Sequence, residues 1–381
     1  MKFFHLSDLH IGLKLYNRDL TEDQAHIFRQ IIQAARREQP DAVVIAGDVY
    51  DRAVPSAEAV ALFDRFLSQL HQAIPQGEIL VISGNHDSAP RINLFRSVLQ
   101  HQHIHMIGLP PQSPEETIAS VTLTDTFGPV TFYLLPFVRP SMVSNLVGNN
   151  EDSPLSYEET LRRLILRENI DLTQRNVLVS HQFYLPPGAS AGDIPRMDSE
   201  TVTVGNLDAV SSAILEPFDY AALGHIHKPM TVGDSRFRYC GTPLACSVSE
   251  AGQEKAILMV ELGEKGSLQV TPLPLSPLRQ VRQITGPLVQ LLAQASEDFV
   301  SVTLTDPVDL DVFDTLDRLR DAFPNLLEVR RETQRETAYR DLSSQAPLDP
   351  FSLCQSFLGE LEQEEADLLR EVVLEVEEDA P

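Results

Sequence analysis

The residues of this chain best suited to hold metal ions are Asp8 with His10, Asp48, Asn85, His181, and His225 with His227. Carboxylate oxygens, imidazole nitrogens and one neutral amide oxygen make the mixed donor set of first-row divalent ions. Asp8 and His10 stand two apart, as do His225 and His227, and extended backbone would point both members of each pair the same way. Alone, an Asp-x-His, a His-x-His, a Gly-Asp or a Gly-Asn is weak evidence, since the last two usually mark turns. Their joint occurrence is what points to metal chemistry. Asp48 is the carboxylate best placed to bridge two ions, with one oxygen on each. Two ions about 3.5–4 Å apart can clamp a phosphorus through in-line displacement and bring the pKa of water near neutrality. Their charge outweighs that of Asp8 and Asp48, so an acidic protein can keep a cationic centre for an anionic phosphodiester.

Each candidate follows an apolar run of strand length. Phe3 to Ser7 leads into Asp8, Ala42 to Ala46 into Gly47-Asp48, and Ile79 to Ile82 into Gly84-Asn85-His86-Asp87. Asn176 to Ser180 leads into His181, and Tyr220 to Leu223 into Gly224-His225. Between the first three strands, Thr21-Glu22-Asp23-Gln24 has capping-box spacing and opens a helix ending near Pro40. Ser56 can cap another whose Val60, Phe63, Phe66, Leu67 and Leu70 recur at helical spacing. A β-α-β-α-β order predicts a mainly parallel sheet, and such sheets bind ligands beyond the carboxyl ends of their strands. Gly47 and Gly84 permit tight turns just after strands. Thr131 to Leu135 and the stretch after Arg236 read as antiparallel, so a second sheet packed on the first is expected. Pro186 to Val204 is a long polar connection. From about Pro277 the pattern becomes a small α+β unit, with strands at 280–285, 300–305 and 327–331 and a helix at 312–322. Two short helices follow Pro347, with Phe351, Cys354, Phe357, Leu358 and Leu361 on one apolar stripe and Leu368, Leu369, Val372 and Val373 on the next.

The 381 residues, 43% hydrophobic and 22% charged, describe a globular protein of about two domains. No run reaches the roughly 20 apolar residues that span a bilayer, and charge arrives too early at the N-terminus for a signal peptide. Cys240, Cys246 and Cys354 fit no zinc spacing and read as free thiols in a reducing cytoplasm. The net charge of −25 argues against a protein that coats nucleic acid by itself. Residues 341–381 hold twelve acidic residues against Arg370, a net −11, leaving −14 elsewhere. A partner would then supply much of any DNA affinity.

The series Asp-x-His, Gly-Asp-x-x-Asp, Gly-Asn-His-Asp, His, Gly-His-x-His resembles the calcineurin-like metallophosphoesterase superfamily. That resemblance implies an α/β two-sheet sandwich flanked by helices, and two metal ions. Asp8, His10 and His227 would hold one ion, Asn85, His181 and His225 the other, and Asp48 would bridge them. His86 would donate to a phosphoryl or leaving oxygen, with Asp87 orienting its ring or serving structure alone. Further stretches narrow the resemblance: Leu6 to Gly12, Asn85 to Ser88 with Arg91, Leu135 to Pro140, and Tyr239 to Pro243 running into Ser249 to Lys255. They resemble the bacterial SbcD nuclease subunits.

That family implies a double-strand 3′ to 5′ exonuclease and an endonuclease on hairpins and blocked ends, acting in DNA repair, replication and recombination. The expected cofactors are two Mn²⁺, with Mg²⁺ as the alternative, and ATP enters only through an SbcC-type SMC-like ATPase partner. Two copies of each subunit would make a heterotetramer, with no membrane involved. Residues 1–276 would form the nuclease domain, 277–342 a capping, DNA-binding domain, and 343–381 helices that dock on the partner. A small-molecule or protein phosphoesterase of the same fold is the alternative. Asp51 stands where archaeal and eukaryotic relatives commonly carry histidine, so that imidazole's role does not transfer. Leu9 stands where many relatives have tryptophan. His101, His103 and His105 alternate but lie away from the strand ends, and a solvated or structural role is expected for them. His5 has the opposite parity to Asp8 and is expected to pack inside. Arg91 and Arg139 could meet DNA or form ordinary salt bridges.

Overall fold

The computed structural model describes residues 1–148, 155–189, 208–306 and 312–332, with five positions between 365 and 372. Its centre is a pair of six-stranded mixed sheets packed face to face. In the first, Lys2–Leu6, Ala42–Ala46, Glu78–Ile82 and Ile104–Ile107 run parallel, and Lys255–Leu262 and Leu268–Leu275 add an antiparallel edge beside Lys2–Leu6. In the second, Gly128–Leu135, Arg175–His181, Tyr220–Gly224 and Asp234–Tyr239 are mutually parallel neighbours, flanked by antiparallel Ala119–Asp125 and Met230–Val232. The antiparallel reading of Thr131–Leu135 and of the stretch after Arg236 thus needs correction. Each pairs in parallel toward the sheet centre and antiparallel only at its outer edge.

Alternation along each strand sorts the core into layers. Phe3, Ala42, Val44, Leu80, Phe132, Val177, Tyr220 and Val260 meet between the sheets. Phe4, Leu6, Val43 and Ile45 face the opposite way, onto helices Thr21–Glu38 and Ala57–Ala73, whose Phe28 and Phe66 stack at 4.4 Å. Leu178, Ala221 and Leu223 likewise face helix Tyr157–Leu166 through Leu161 and Leu164. Buried Leu9 joins the first helical layer.

Ser56 caps its helix by accepting from the Ala59 amide at 3.2 Å. Val60 is exposed, and Ala59 and Leu62 extend the buried stripe instead. The capping box at Thr21 is absent. Leu20 is the N-cap and makes no side-chain bond, while Gln24 turns inward, accepting from the Gly12 amide at 3.1 Å and donating to the His10 carbonyl at 2.7 Å. A buried amide has more to gain from the orphan groups of a ligand-bearing loop than from a helix end water can reach.

Strands Val281–Gly286, Phe299–Leu304 and Leu326–Arg331 form a parallel sheet in chain order, with helices Leu288–Leu292 and Val312–Ala322 and a core of Leu291, Val300, Val302, Leu319 and Phe323. Helix Leu288–Leu292 gave no sequence signal of its own, being little more than one turn. Arg279 anchors this unit to helix Thr21–Glu38 by gripping fully buried Asp23 at 2.6 and 3.0 Å. Residues 1–332 form one compact unit and 333–381 another. The apolar stripe expected at 351–361 and residues 190–207 lie outside the described positions. Leu368 and Val372, the described exposed members of the second stripe, are helical. Among described residues no helix is long and apolar enough to cross a membrane.

His5 is fully buried between the sheets, its Nδ1 3.0 Å from the Tyr220 hydroxyl and its Nε2 3.1 Å from the Leu223 carbonyl. Burial lowers its pKa from 6.5 to about 3. Below pH 6.5 the unfolded chain therefore binds a proton that the folded one refuses, so stability is lost as the pH falls through this window. Urea unfolding of the metal-free protein is expected to lose about 2 kcal/mol from His5 between neutral pH and about pH 5. His5→Gln should remove that slope whatever it does to the baseline, and an unchanged slope would refute the assignment.

Candidate metal centre

The parallel strands end together, with Leu6 opposite Ile45 and Ala46 opposite Ile82 on one sheet and His181 opposite Gly224 on the other. Beyond these ends the loops stay zipped. The amides of Asp8, His10 and Ile11 donate to the carbonyls of Gly47, Asp48 and Val49 at 2.9–3.0 Å. Asp8, His10, Asp48 and His225 all have positive φ, at 53°, 42°, 48° and 103°. Alternation along an extended strand therefore does not bring Asp8 and His10 together. Left-handed turns do, at a steric cost that packing and these hydrogen bonds must offset. Gly47 (φ 89°) supplies the expected tight turn. Gly84 serves a different purpose: a Cβ there would lie 2.1 Å from Asp48 Oδ1.

All seven candidate ligands meet in this place. The side chains of Asp8, His10 and His227 bring donor atoms within 4.8 Å of one another, with His10 Nε2 3.1 Å from His227 Nε2. Asn85 Oδ1 lies 3.1 Å from His181 Nε2 and 2.9 Å from His225 Nδ1. Asp48 Oδ2 stands between the two groups, 3.8 Å from His10 Nε2 and 3.2 Å from His181 Nε2. Its Oδ1 accepts from the His86 amide at 2.9 Å.

This donor set fits a pair of divalent ions on its own chemistry. His181 Nδ1 donates to the Ala46 carbonyl at 2.7 Å, so its Nε2 presents a lone pair to the oxygens of Asn85 and Asp48. Acceptor then faces acceptor, a conflict that a cation resolves. In the metal-free protein a proton resolves it. Burial disfavours charge on His181, but Asp48 and Asp8 outweigh burial and push its pKa up to about 9. Burial would raise Asp48, yet His181 and His10 hold it well below the usual carboxylate range. Burial dominates at His10, lowering it to about 3, and raises Asp8.

Around the ligands, neighbours fix position. Asp8 accepts from Ser7 Oγ and from the His225 amide at 3.0 Å. Glu250 Oε1 stands 3.3 Å from His227 Nδ1; burial would raise Glu250, but hydrogen bonding to His227 and the Lys255 charge hold it well below the carboxylate range. Asp87 does not orient the His86 ring. Its carboxylate accepts from the Val49, Tyr50 and Gly84 amides at 2.9–3.0 Å, tying two ligand loops together, and His86 Nδ1 instead meets the Asp51 carbonyl at 3.0 Å. Burial and Asp48 push Asp87 up to about 6. The Asp51 carboxylate lies 3.9 Å from His10 Nδ1. The His86 ring meets that of His10 edge-on at 5.0 Å. The supporting roles of Gln24, Glu250 and the Asp51 carbonyl could not be read from the sequence, because each partner is distant in the chain or is backbone.

The other candidates lie elsewhere. His103 and His105 grip the two oxygens of Glu78 at 2.8 Å each, at the amino ends of strands whose opposite ends face the metal centre. Arg139 lies over the Phe137 ring at 5.7 Å, and Arg91 sits on a short exposed turn. Cys240 and Cys246 are buried free thiols. Beside the ligands opens a cavity of about 340 Å³, bordered by His10, Tyr16, Asp51 and His227 and, from the C-terminal sheet, by Gln283 and Arg330.

A two-sheet sandwich carrying carboxylates, imidazoles and an amide at its strand ends defines a metal-dependent phosphoesterase. The chain belongs to the calcineurin-like phosphoesterase family, whose model matches residues 1–229 and whose members bind two divalent metals. Residues 277–359 match a second model, SbcD_C, described as the type 5 capsule protein repressor C-terminal domain, and the two matches together support an SbcD-type nuclease subunit. Among solved structures, the chain is similar to TT1561 of Thermus thermophilus at 13% identity, covering 71% of this chain and 98% of that one, with a TM-score of 0.40. It is also similar to GAP50, the anchor in the inner membrane complex of Plasmodium, at 11% identity, 92% and 99% coverage and a TM-score of 0.39. A dimetal phosphatase from Danio rerio matches at 13% identity, 71% and 95% coverage and a TM-score of 0.38.

Gly84→Ala puts a methyl group onto Asp48 Oδ1 and is expected to weaken Mn²⁺ binding at least about 10-fold while the fold survives. Titration calorimetry with circular dichroism checks this, and two ions bound with unchanged affinity would contradict it.

Proposed function

We propose that this chain is the nuclease subunit of an SbcCD-type complex, hydrolysing DNA phosphodiesters as a double-strand 3′ to 5′ exonuclease and as an endonuclease on hairpins and blocked ends. The observation that carries the reading is Asp48 Oδ2 standing between two groups of nitrogen and oxygen donors, in a chain whose C-terminal part matches SbcD_C. Asp8, His10 and His227 would hold one ion and Asn85, His181 and His225 the other, with Asp48 shared. Mn²⁺ suits this mixture of imidazole and oxygen donors, and Mg²⁺ is the alternative. The ions would supply Lewis acidity and an activated water.

The chain's own groups would do the rest. His86 stands beside the first group, held through its amide by Asp48 and through Nδ1 by the Asp51 carbonyl, in position to donate to a phosphoryl or leaving oxygen. Asp87 would set the spacing of the loops that carry Asp48 and Asn85, a structural part rather than a proton-transfer one. Residues 1–276 would be the nuclease domain, 277–342 a cap bordering the cavity, and 343–381 helices docking on an SbcC-type ATPase. Two copies of each subunit would form the assembly. The net charge of −25 supports a division of labour in which the partner supplies much of the affinity for DNA.

The test is degradation of end-labelled linear and hairpin duplex, with and without the ATPase, ATP and Mn²⁺. Cleavage should require Mn²⁺ and stop on chelation. His86→Gln should slow it about 100-fold or more with Mn²⁺ affinity largely unchanged, and parallel loss of both would remove His86 from this role. Turnover of a small phosphodiester with intact duplex under every condition would reassign the chain to a small-molecule or protein phosphoesterase.

A further inference from the structure

We infer that Glu250 and Lys255 form a positioning pair that sets the tautomer of His227, and so decides whether its Nε2 has a lone pair for a cation. The inference rests on the metal-site reading above but not on the choice of substrate. His227 Nδ1 faces Glu250 Oε1 at 3.3 Å, while its Nε2 faces the candidate metal centre, 3.1 Å from His10 Nε2. An ionised carboxylate only accepts, so Nδ1 carries a proton, and on the neutral ring Nε2 then holds the lone pair.

Behind Glu250 the polarity is fixed as firmly. Lys255 Nζ donates to Glu250 Oε2 at 2.6 Å, to Thr242 Oγ1 at 2.7 Å and to Gln253 Oε1 at 3.1 Å, which uses all three of its protons. Thr242, already accepting from Lys255, donates its hydroxyl proton to Glu250 Oε2 at 2.9 Å, and its amide donates to the His227 carbonyl at 3.2 Å. Ser247 Oγ donates to Glu250 Oε1 at 3.2 Å. The side chains of Glu250, His227 and Lys255 are 0%, 2% and 5% exposed, so water cannot substitute for a lost or reversed bond. The segment from Gly241 to Lys255 thereby reaches His227 from behind the centre.

One substitution reads this polarity directly. In Glu250→Gln, Lys255 and Thr242 still offer only protons toward the Oε2 position, so the amide oxygen must take that place. The amide NH₂ then faces His227 Nδ1, and Ser247 can rotate to accept beside it. Nδ1 becomes the acceptor, Nε2 takes the proton, and the lone pair facing the centre is gone. Adding Lys255→Met removes the donor that dictates this orientation. The amide can then turn its oxygen to Nδ1, while the Thr242 hydroxyl rotates to accept from its NH₂.

The experiment uses the full chain, ¹⁵N-labelled at histidine and metal-free, with His227 assigned from the resonance missing in His227→Asn. Nitrogen shifts report the tautomer, and calorimetric titration with MnCl₂ reports binding. Wild type should show Nδ1–H, and E250Q should show Nε2–H and about 10–100-fold weaker binding of one Mn²⁺. E250Q/K255M should regain Nδ1–H and most of the affinity. Nε2–H in wild type would overturn the inference even if no variant folded. E250Q with Nδ1–H and wild-type affinity, or equal loss in both variants with no change of tautomer, would also overturn it. Wild type that binds two Mn²⁺ with Nδ1–H yet leaves duplex DNA intact would overturn the nuclease reading alone.

Discussion

Lone pairs converge on Asp48. Its Oδ2 lies 3.2 Å from His181 Nε2 and 3.8 Å from His10 Nε2, and Asn85 Oδ1 faces the same His181 nitrogen at 3.1 Å and His225 Nδ1 at 2.9 Å, with Asp48 and all three imidazoles buried. In a low-dielectric interior such crowding is unfavourable unless positive charge enters. The chain is therefore folded around a demand for cations, partly met without metal by the proton that Asp48 and Asp8 hold on His181. Much else in the molecule can be understood as keeping those acceptors in place.

Local backbone preference works against that arrangement. Four of the seven candidate ligands adopt positive φ, which costs a non-glycine residue of order 1 kcal/mol or more. What holds them is over-determination. Parallel amide–carbonyl bonds zip residues 8–11 to 47–49, Gln24 ties the Leu9 and His10 carbonyls, and Asp87 gathers three amides from both sides. Two rigid sheets then press their strand ends together across a layer of Phe3, Val44, Phe132 and Val177. Sheet packing supplies the stability that the strained rim consumes.

The small C-terminal sheet extends this logic to the cavity beside the ligands. It is anchored on helix Thr21–Glu38 through a buried aspartate, and Gln283 and Arg330 border the cavity next to His10 and His227. The cavity beside the candidate metal centre thus takes one wall from the small C-terminal sheet. In a chain of net charge −25, a local excess of cationic charge at the centre is also what would let an anionic phosphodiester approach.

The sequence by itself determined the kind of chemistry and the class of fold. Asp8, His10, Asp48, Asn85, His181, His225 and His227 were legible because each follows an apolar run, and strand periodicity with intervening helical patterns implies one rim. Only the tertiary structure decided how they meet there. Asp8 and His10 converge through left-handed turns rather than strand alternation, Gly84 is needed for space rather than for φ, and Thr131–Leu135 is parallel to its inner neighbour. Gln24, which reads as a helix cap, supports a ligand loop, and Asp87 binds backbone rather than His86. Glu250 and Lys255 lie in a stretch that carries the family resemblance, but nothing local tied them to His227. The physical reason is common to these cases: periodicity and turn chemistry are local, whereas the partner that satisfies a buried polar group is chosen by burial and by which distant segment arrives beside it.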